Sequence, residues 1–153
     1  MDRYDRALLK AIQIDADRTL QSLADEIGLS PTPTARRLKL LAERGLIEKR
    51  VALLSPEKLG LRTTLFIFVR TNRHDEAWLT QFSGGVARMP EVVEFYRMGG
   101  EIDYLLKIVL PEIGDYDQVY KRLISVAPLA DVSAAFAMEA IKNTTELPLP
   151  PAA

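Results

Sequence analysis

The sequence has no cysteine and only one histidine, His74. The first absence excludes a disulfide framework and any thiolate zinc site; the second removes multi-histidine metal centres and Ser-His-Asp catalysis. No apolar run approaches the ~20 residues that cross a bilayer, and the chain opens Met1-Asp2-Arg3-Tyr4-Asp5-Arg6 rather than with a basic and then apolar leader. A cytoplasmic protein without a membrane partner is therefore expected. An excess of one charge is also missing: 20 Lys and Arg against 21 Asp and Glu leave −1, unlike a uniformly basic nucleic-acid coat. With no recognisable catalytic constellation, the reading is of a protein that is not an enzyme and needs no metal or cofactor.

What is present fits a folded chain: 153 residues, 48% hydrophobic and 27% charged, enough for one ordinary domain or two small ones. The charge is unevenly placed. Residues 1–50 are net +2 and the remainder net −3, with Arg36, Arg37, Lys39, Arg44, Lys49 and Arg50 gathered between positions 36 and 50 against only Glu43 and Glu48. A solvated face and a nucleic-acid surface both fit such a run.

The first fifty residues carry three helical patterns. Tyr4, Ala7, Leu8, Ala11 and Ile12 recur at helical spacing over residues 2–15. Thr19 is an N-cap before Leu20, Leu23, Ala24 and Ile27, and Gly28 supplies a sharp C-terminal turn. Ser30 and Pro31 then open a third helix whose expected buried stripe is Ala35, Leu38, Leu41 and Ala42, ending at Gly45. A helix, a short turn containing glycine and a second helix form the helix-turn-helix pattern, whose second helix enters the major groove. This predicts double-stranded DNA as a partner, with Thr32, Thr34, Arg36, Arg37 and Lys39 at the reading face and Arg44, Lys49 and Arg50 beside it. Residues 45–54 alternate toward a strand, as a basic wing or linker strand would. A helical bundle with a basic solvent face remains the bland alternative.

The second half alternates strands and helices. Strands are predicted at Thr63 to Thr71, Val92 to Met98, Asp103 to Val109 and Val132 to Met138, with helices at Glu76 to Met89 and Ile113 to Val126. The fold class is α+β: an N-terminal winged helix-turn-helix (1–50), a linker strand (51–62), a ferredoxin-like βαββαβ domain (63–142) and a C-terminal tail (143–153), its Pro-rich end expected to be mobile. A small sheet with helices on one face leaves its other face apolar, which predicts at least a dimer. Trp78 reads as a core or interface anchor and His74 as a loop residue.

The stretches Leu29-Ser30-Pro31-Thr32-Pro33, Arg36-Arg37-Leu38, Gly45-Leu46-Ile47, Ala52-Leu53-Leu54-Ser55-Pro56, Gly100-Glu101-Ile102-Asp103-Tyr104 and Phe136-Ala137-Met138-Glu139 resemble, in order and across the chain, the Lrp/AsnC family of transcription factors. The resemblance implies a DNA-binding domain joined by a strand to a regulatory domain, assembled as dimers and then octamers. It also implies an amino-acid effector at contacts between dimers, which places that site at Gly99, Gly100, Glu101, Asp103 and Tyr104. Paired glycines let a ligand carboxylate approach backbone N–H groups, and an acid offers a partner for an ammonium group. An effector-responsive, sequence-specific DNA-binding regulator is the expected function. An architectural DNA-binding protein with no effector is the alternative, and a metabolic subunit using the second domain for regulation is a third.

Overall fold

The structure is a computed structural model and describes residues 1–151; Ala152 and Ala153, the end of the expected tail, lie outside the described residues. The chain forms two compact units, one of Met1–Leu53 together with the segment from Ile141 onward, the other of Leu54–Ala140.

In the first unit, α1 (Arg3–Ile14), α2 (Leu20–Ile27) and α3 (Pro31–Glu43) close on Leu8, Leu9, Ala11, Leu23, Ile27 and Leu41. Each helix starts where local chemistry allows. Asp2 caps α1 by accepting from the Tyr4 and Asp5 amides, while the Asp5 carboxylate returns to the Asp2 amide as a capping box. Thr19 accepts from the Ser22 amide at the start of α2. Gly28 ends α2 in the left-handed region at φ 70°, a conformation nearly free for glycine and costly for other residues, and so turns the chain into α3.

The start of α3 differs from expectation. Ser30 occupies the N-cap position, but its side chain makes no cap hydrogen bond. Pro31 and Pro33 stand at the first and third helical positions, and Pro33 has no N–H to offer a capping hydroxyl. The entry is fixed instead by proline φ angles and by the Ser30 carbonyl, which accepts from both the Thr34 amide and the Thr34 hydroxyl.

In the second unit, β1 (Thr63–Arg70), α4 (Glu76–Val86), β2 (Val92–Arg97), β3 (Tyr104–Leu110), α5 (Tyr116–Val126) and β4 (Asp131–Phe136) give the expected βαββαβ order. The sheet runs β2-β3-β1-β4 with every neighbour antiparallel. Alternation along β1 and β3 sends Leu65, Ile67, Val69, Leu106, Ile108 and Leu110 into a core with Trp78 and Phe82 of α4 and Val119 and Leu123 of α5. Phe82 stacks on Trp78 at 4.8 Å between ring centroids, and the Trp78 indole N–H donates to the Pro128 carbonyl at 2.9 Å. Trp78 is thus a core anchor, as its helix position suggested.

One expectation fails outside the core. Neither residues 45–54 nor the rest of the expected linker strand (51–62) form a strand, and Glu57–Leu59 make a 3-10 turn; Val51, Leu53 and Leu54 are exposed, because the segment finds no second strand to accept its backbone hydrogen bonds. Just before the Pro-rich end, the Gln13 side-chain amide both donates to the Leu147 carbonyl and accepts from the Leu147 amide, and Leu149 packs against the helical core.

Candidate nucleic-acid interface and effector turn

The buried stripe of α3 is rotated from the one its alanines suggest. Thr34 is completely buried and Ala42 is exposed, so the stripe runs through Thr34, Leu38 and Leu41. Thr34 is therefore withdrawn from the reading face: its hydroxyl is satisfied by a backbone carbonyl one turn back, which lets a polar side chain sit inside at little cost. Arg37 follows the same stripe at its edge and is three-quarters buried. Its Nη1 donates to Asp2 Oδ2 and to Asp5 Oδ1, each at 2.7 Å, and the guanidinium lies 5.2 Å from the Tyr4 ring centroid. Those acids hold the Arg37 guanidinium above its ordinary pKa, chiefly through the Asp5 and Asp2 hydrogen bonds.

Thr32, Arg36 and Lys39 remain exposed on the outer face of α3, and Arg44, Lys49 and Arg50 are exposed just after it. Lys39 lies 3.7 Å from Glu43 one turn on, an exposed pair of small energetic weight. Of the first three helical positions only Thr32 has an N–H, so the helix end itself offers little to a phosphate. Any grip on phosphate falls to the long basic side chains.

In the second unit, the turn between β2 and β3 closes through the Met98 amide donating to the Asp103 carbonyl at 2.8 Å. Gly100 sits at φ 127°, where an L side chain is strained, and Gly99, Gly100 and Glu101 are exposed. A Cβ at Gly99 would meet nothing within 4 Å. Asp103 is anchored at both ends: its amide donates to the Val69 carbonyl at 2.9 Å, and its Oδ2 accepts from the Thr71 amide at 2.8 Å, leaving Oδ1 for another partner.

Tyr104 is a correction. It is 4% exposed, and its ring lies 5.2 to 5.8 Å from those of Phe82, Phe95 and Trp78, so it belongs to the core rather than to a ligand site. Thr71, which holds Asp103, was not legible: its role comes from the β1–β3 register, 32 residues away in sequence. A depression of about 300 Å³ lies elsewhere, lined by Tyr120, Ile124 and Leu129–Val132, and no residue of 99–104 lines it. Among the described residues no cluster of His, Asp and Glu could hold a metal ion, and no helix is long and apolar enough to cross a membrane.

A helix-turn-helix unit with basic side chains on and after its second helix, followed by a ferredoxin-like unit, defines a two-unit regulator that binds DNA. Residues 1–48 match the model of winged helix-turn-helix DNA-binding domains, and residues 64–147 match that of the Lrp/AsnC ligand binding domain. The chain belongs to the Lrp/AsnC family of transcriptional regulators. It is 45% identical to the DNA-binding transcriptional activator DecR of Escherichia coli K12, over 97% of this chain and 99% of the relative. Among solved structures, an AsnC family transcriptional regulator from Agrobacterium tumefaciens superposes with a TM-score of 0.93 at 51% identity, covering 97% of each chain. A transcriptional regulator from Neisseria meningitidis in complex with L-Met superposes with a TM-score of 0.92 at 33% identity, covering 97% of this chain and 96% of that one.

Proposed function

We propose that the protein controls transcription in response to a free amino acid bound at residues 99–103, between subunits of a homo-oligomer in the cytoplasm, and that it regulates without catalysing a reaction. The observation that carries this reading is the built turn: a glycine pair open to solvent beside Asp103, whose Oδ2 is pinned by the Thr71 amide while Oδ1 is free. The Gly99 and Gly100 amides suit an α-carboxylate, and Asp103, more than the exposed Glu101, suits an α-ammonium. Both partners are needed, because an unpaired charge taken from water is costly. That the Neisseria relative was solved with L-Met supports an amino acid as the ligand class.

DNA contact is assigned to Thr32, Arg36 and Lys39 at base edges and nearby phosphates, with Arg44, Lys49 and Arg50 on the backbone. Oligomerisation, as a dimer and then an octamer, is supported by the sheet face opposite α4 and α5. There Phe66, Phe68, Leu105 and Val109 are only partly buried; separately, the connecting segment exposes Val51, Leu53 and Leu54 with unpaired backbone.

Titrating the protein calorimetrically with each of the common amino acids tests the effector. At least one is expected to bind and to change the DNA footprint. Gly99→Leu, which fits the backbone without strain, is expected to weaken that binding at least tenfold while DNA affinity without effector is retained. Gly100→Leu is a poorer probe, since its left-handed backbone would be strained by any side chain. Heat from no amino acid would favour the architectural alternative; undiminished binding by Gly99→Leu would move the site elsewhere.

A further inference from the structure

Arg37 is the basic residue of α3 whose charge is already spent inside the protein. Both carboxylates that hold it are also the capping groups of α1: Asp2 Oδ1 accepts from the Tyr4 and Asp5 amides at 2.9 Å while Asp2 Oδ2 takes Arg37. Asp5 Oδ2 closes the capping box while Asp5 Oδ1 takes Arg37. Two acids three residues apart at one helix end repel each other, and a single guanidinium between them turns that repulsion into a joint. The Tyr4 ring beside the guanidinium restricts it further. The first turn of α1 is thereby tied to the middle of α3, 32 to 35 residues away in sequence.

We propose that Arg37 is a positioning residue that sets the orientation of the reading helix α3 on α1 through Asp2 and Asp5, and that it does not contact DNA. The proposal rests on α3 being the reading helix, as assigned above. Moving Arg37 to a phosphate would leave Asp2 and Asp5 facing each other without a countercharge, beside a further negative group. The exposed Arg36 and Lys39 reach outward without that penalty. Bound to its two acids, Arg37 instead fixes the angle at which those side chains are presented, and a small misplacement at a reading helix is felt by every contact it makes.

The test measures affinity of the full chain for a duplex that the parent protein selects from a randomised pool, over a range of salt concentrations. The variants are Arg37→Gln, the pair Asp2→Asn with Asp5→Asn, and all three changes together, with Arg36→Gln as the contrasting case. A residue that neutralises a phosphate lowers the salt slope by about one when removed. Arg36→Gln is expected to do so. Arg37→Gln is expected to weaken binding about tenfold or more with the slope unchanged.

The acid variants decide the sign. If Asp2 and Asp5 merely competed with DNA for Arg37, removing their charge would tighten binding. A joint that orients α3 predicts weaker binding, with little added loss when Arg37→Gln is combined with it, since the three residues act as one network. A slope reduced by about one in Arg37→Gln, tighter binding by the acid pair, or unchanged affinity in both overturns the proposal. Circular dichroism in the absence of DNA reports folding. If the double acid change unfolds the unit, Asp2→Asn alone, which leaves Asp5 on the guanidinium, is read by the same criteria. If parent DNA contacts do not map to α3 at all, the assignment of the reading helix fails first, and that outcome is visible with Arg36→Gln before any Arg37 variant is made.

Discussion

The two units solve the same problem with different materials. The helical unit closes on short aliphatic side chains, Leu8, Leu9, Ala11, Leu23, Ile27 and Leu41, and fixes its periphery with polar ties: Arg37 to Asp2 and Asp5, Arg18 to Glu26 and Ser22, and Gln13 to the Leu147 backbone. The sheet unit closes on four touching aromatic rings, Trp78, Phe82, Phe95 and Tyr104, with strands joined by long-range ladders. A small helical core buries too little to define its geometry by packing alone, so directional hydrogen bonds finish the task. The sheet unit carries polar ties as well, Lys107 to Glu94 across β2 and β3 and Gln81 of α4 to the Val126 carbonyl of α5, but its largest side chains meet in the core, and its proposed effector surface is a turn at the end of the β2–β3 ladder. In the first unit a polar residue on a helix can be architecture; in the second an aromatic core carries the packing, and polar ties such as the Thr71 amide on Asp103 shape its turns.

The sharpest way to break that contrast is to empty each core in turn. Phe82→Ala removes the ring that touches Trp78, Phe95 and Tyr104 and is expected to cost about 3–5 kcal/mol, the largest effect of any single truncation considered. Chemical denaturation followed by near-ultraviolet dichroism, which reports the aromatic cluster, measures it. Leu8→Ala, in the helical core, is expected to cost less, in the lower part of the ~2–5 kcal/mol range for such changes, since it removes fewer buried atoms than Phe82→Ala. A larger loss for Leu8→Ala than for Phe82→Ala would show that the helical unit is held by packing after all.

A second prediction concerns close approach within the sheet unit. Gly85 of α4 faces α5 so tightly that a Cβ would overlap the methyls of Val126. Alanine is the better helix former, and at an exposed helical site the exchange would stabilise. Here overpacking wins, and Gly85→Ala is expected to lose roughly 1–3 kcal/mol. Thermal unfolding checks the sign; partial rescue by Val126→Ala would confirm that the clash is the cause.

Much of the fold was legible because its signals are local. Gly28, Thr19 and the Leu/Ile spacing placed α1 and α2 within a residue or two, and the β-branched and aromatic runs placed β1 to β3, since neighbouring residues alone decide those patterns. Elements whose outcome depends on distant partners were not. Residues 45–54 read as a strand but find no pairing partner within the chain, and the contacts of Leu147 and Leu149 with the helical unit carry no signal in the sequence around them. The candidate site divides the same way. Arg36, Lys39, Gly99 and Gly100 stand out on the surface as their types suggest, whereas Thr34, Arg37 and Tyr104 were drawn inward by Ser30, by Asp2 and Asp5, and by three aromatic rings respectively. One signal was present and unused: the helical period puts position 37 three residues after Thr34 and four before Leu41, on the inner stripe, with two acids waiting in the first turn of α1.

The smallest expected effect separates the two units by their helix caps. Asp2 of α1 and Asp75 of α4 both accept a backbone N–H at a helix start, from Asp5 and Trp78 respectively, and each is held below the ordinary carboxylate range first by that bond. A nearby arginine adds to the shift, Arg37 in one case and Arg73 in the other. A carboxylate with a lowered pKa in the folded state contributes stability that is fully present above its unfolded pKa and is lost as pH falls through the folded one. Both units are therefore expected to weaken below the ordinary carboxylate range, not between that range and neutrality. Asparagine keeps the capping acceptor without the titration. In Asp75→Asn the acid loss of melting temperature should shrink only slightly, because Arg73 and Asp75 form an exposed pair two residues apart that helps hold no other helix. In Asp2→Asn it should shrink more, because protonating Asp2 also loosens the joint through Arg37. Equal flattening in the two variants would mean that the Arg37 joint adds nothing to the cap, and the polar ties of the helical unit would then be decoration on a core that packs as the other does.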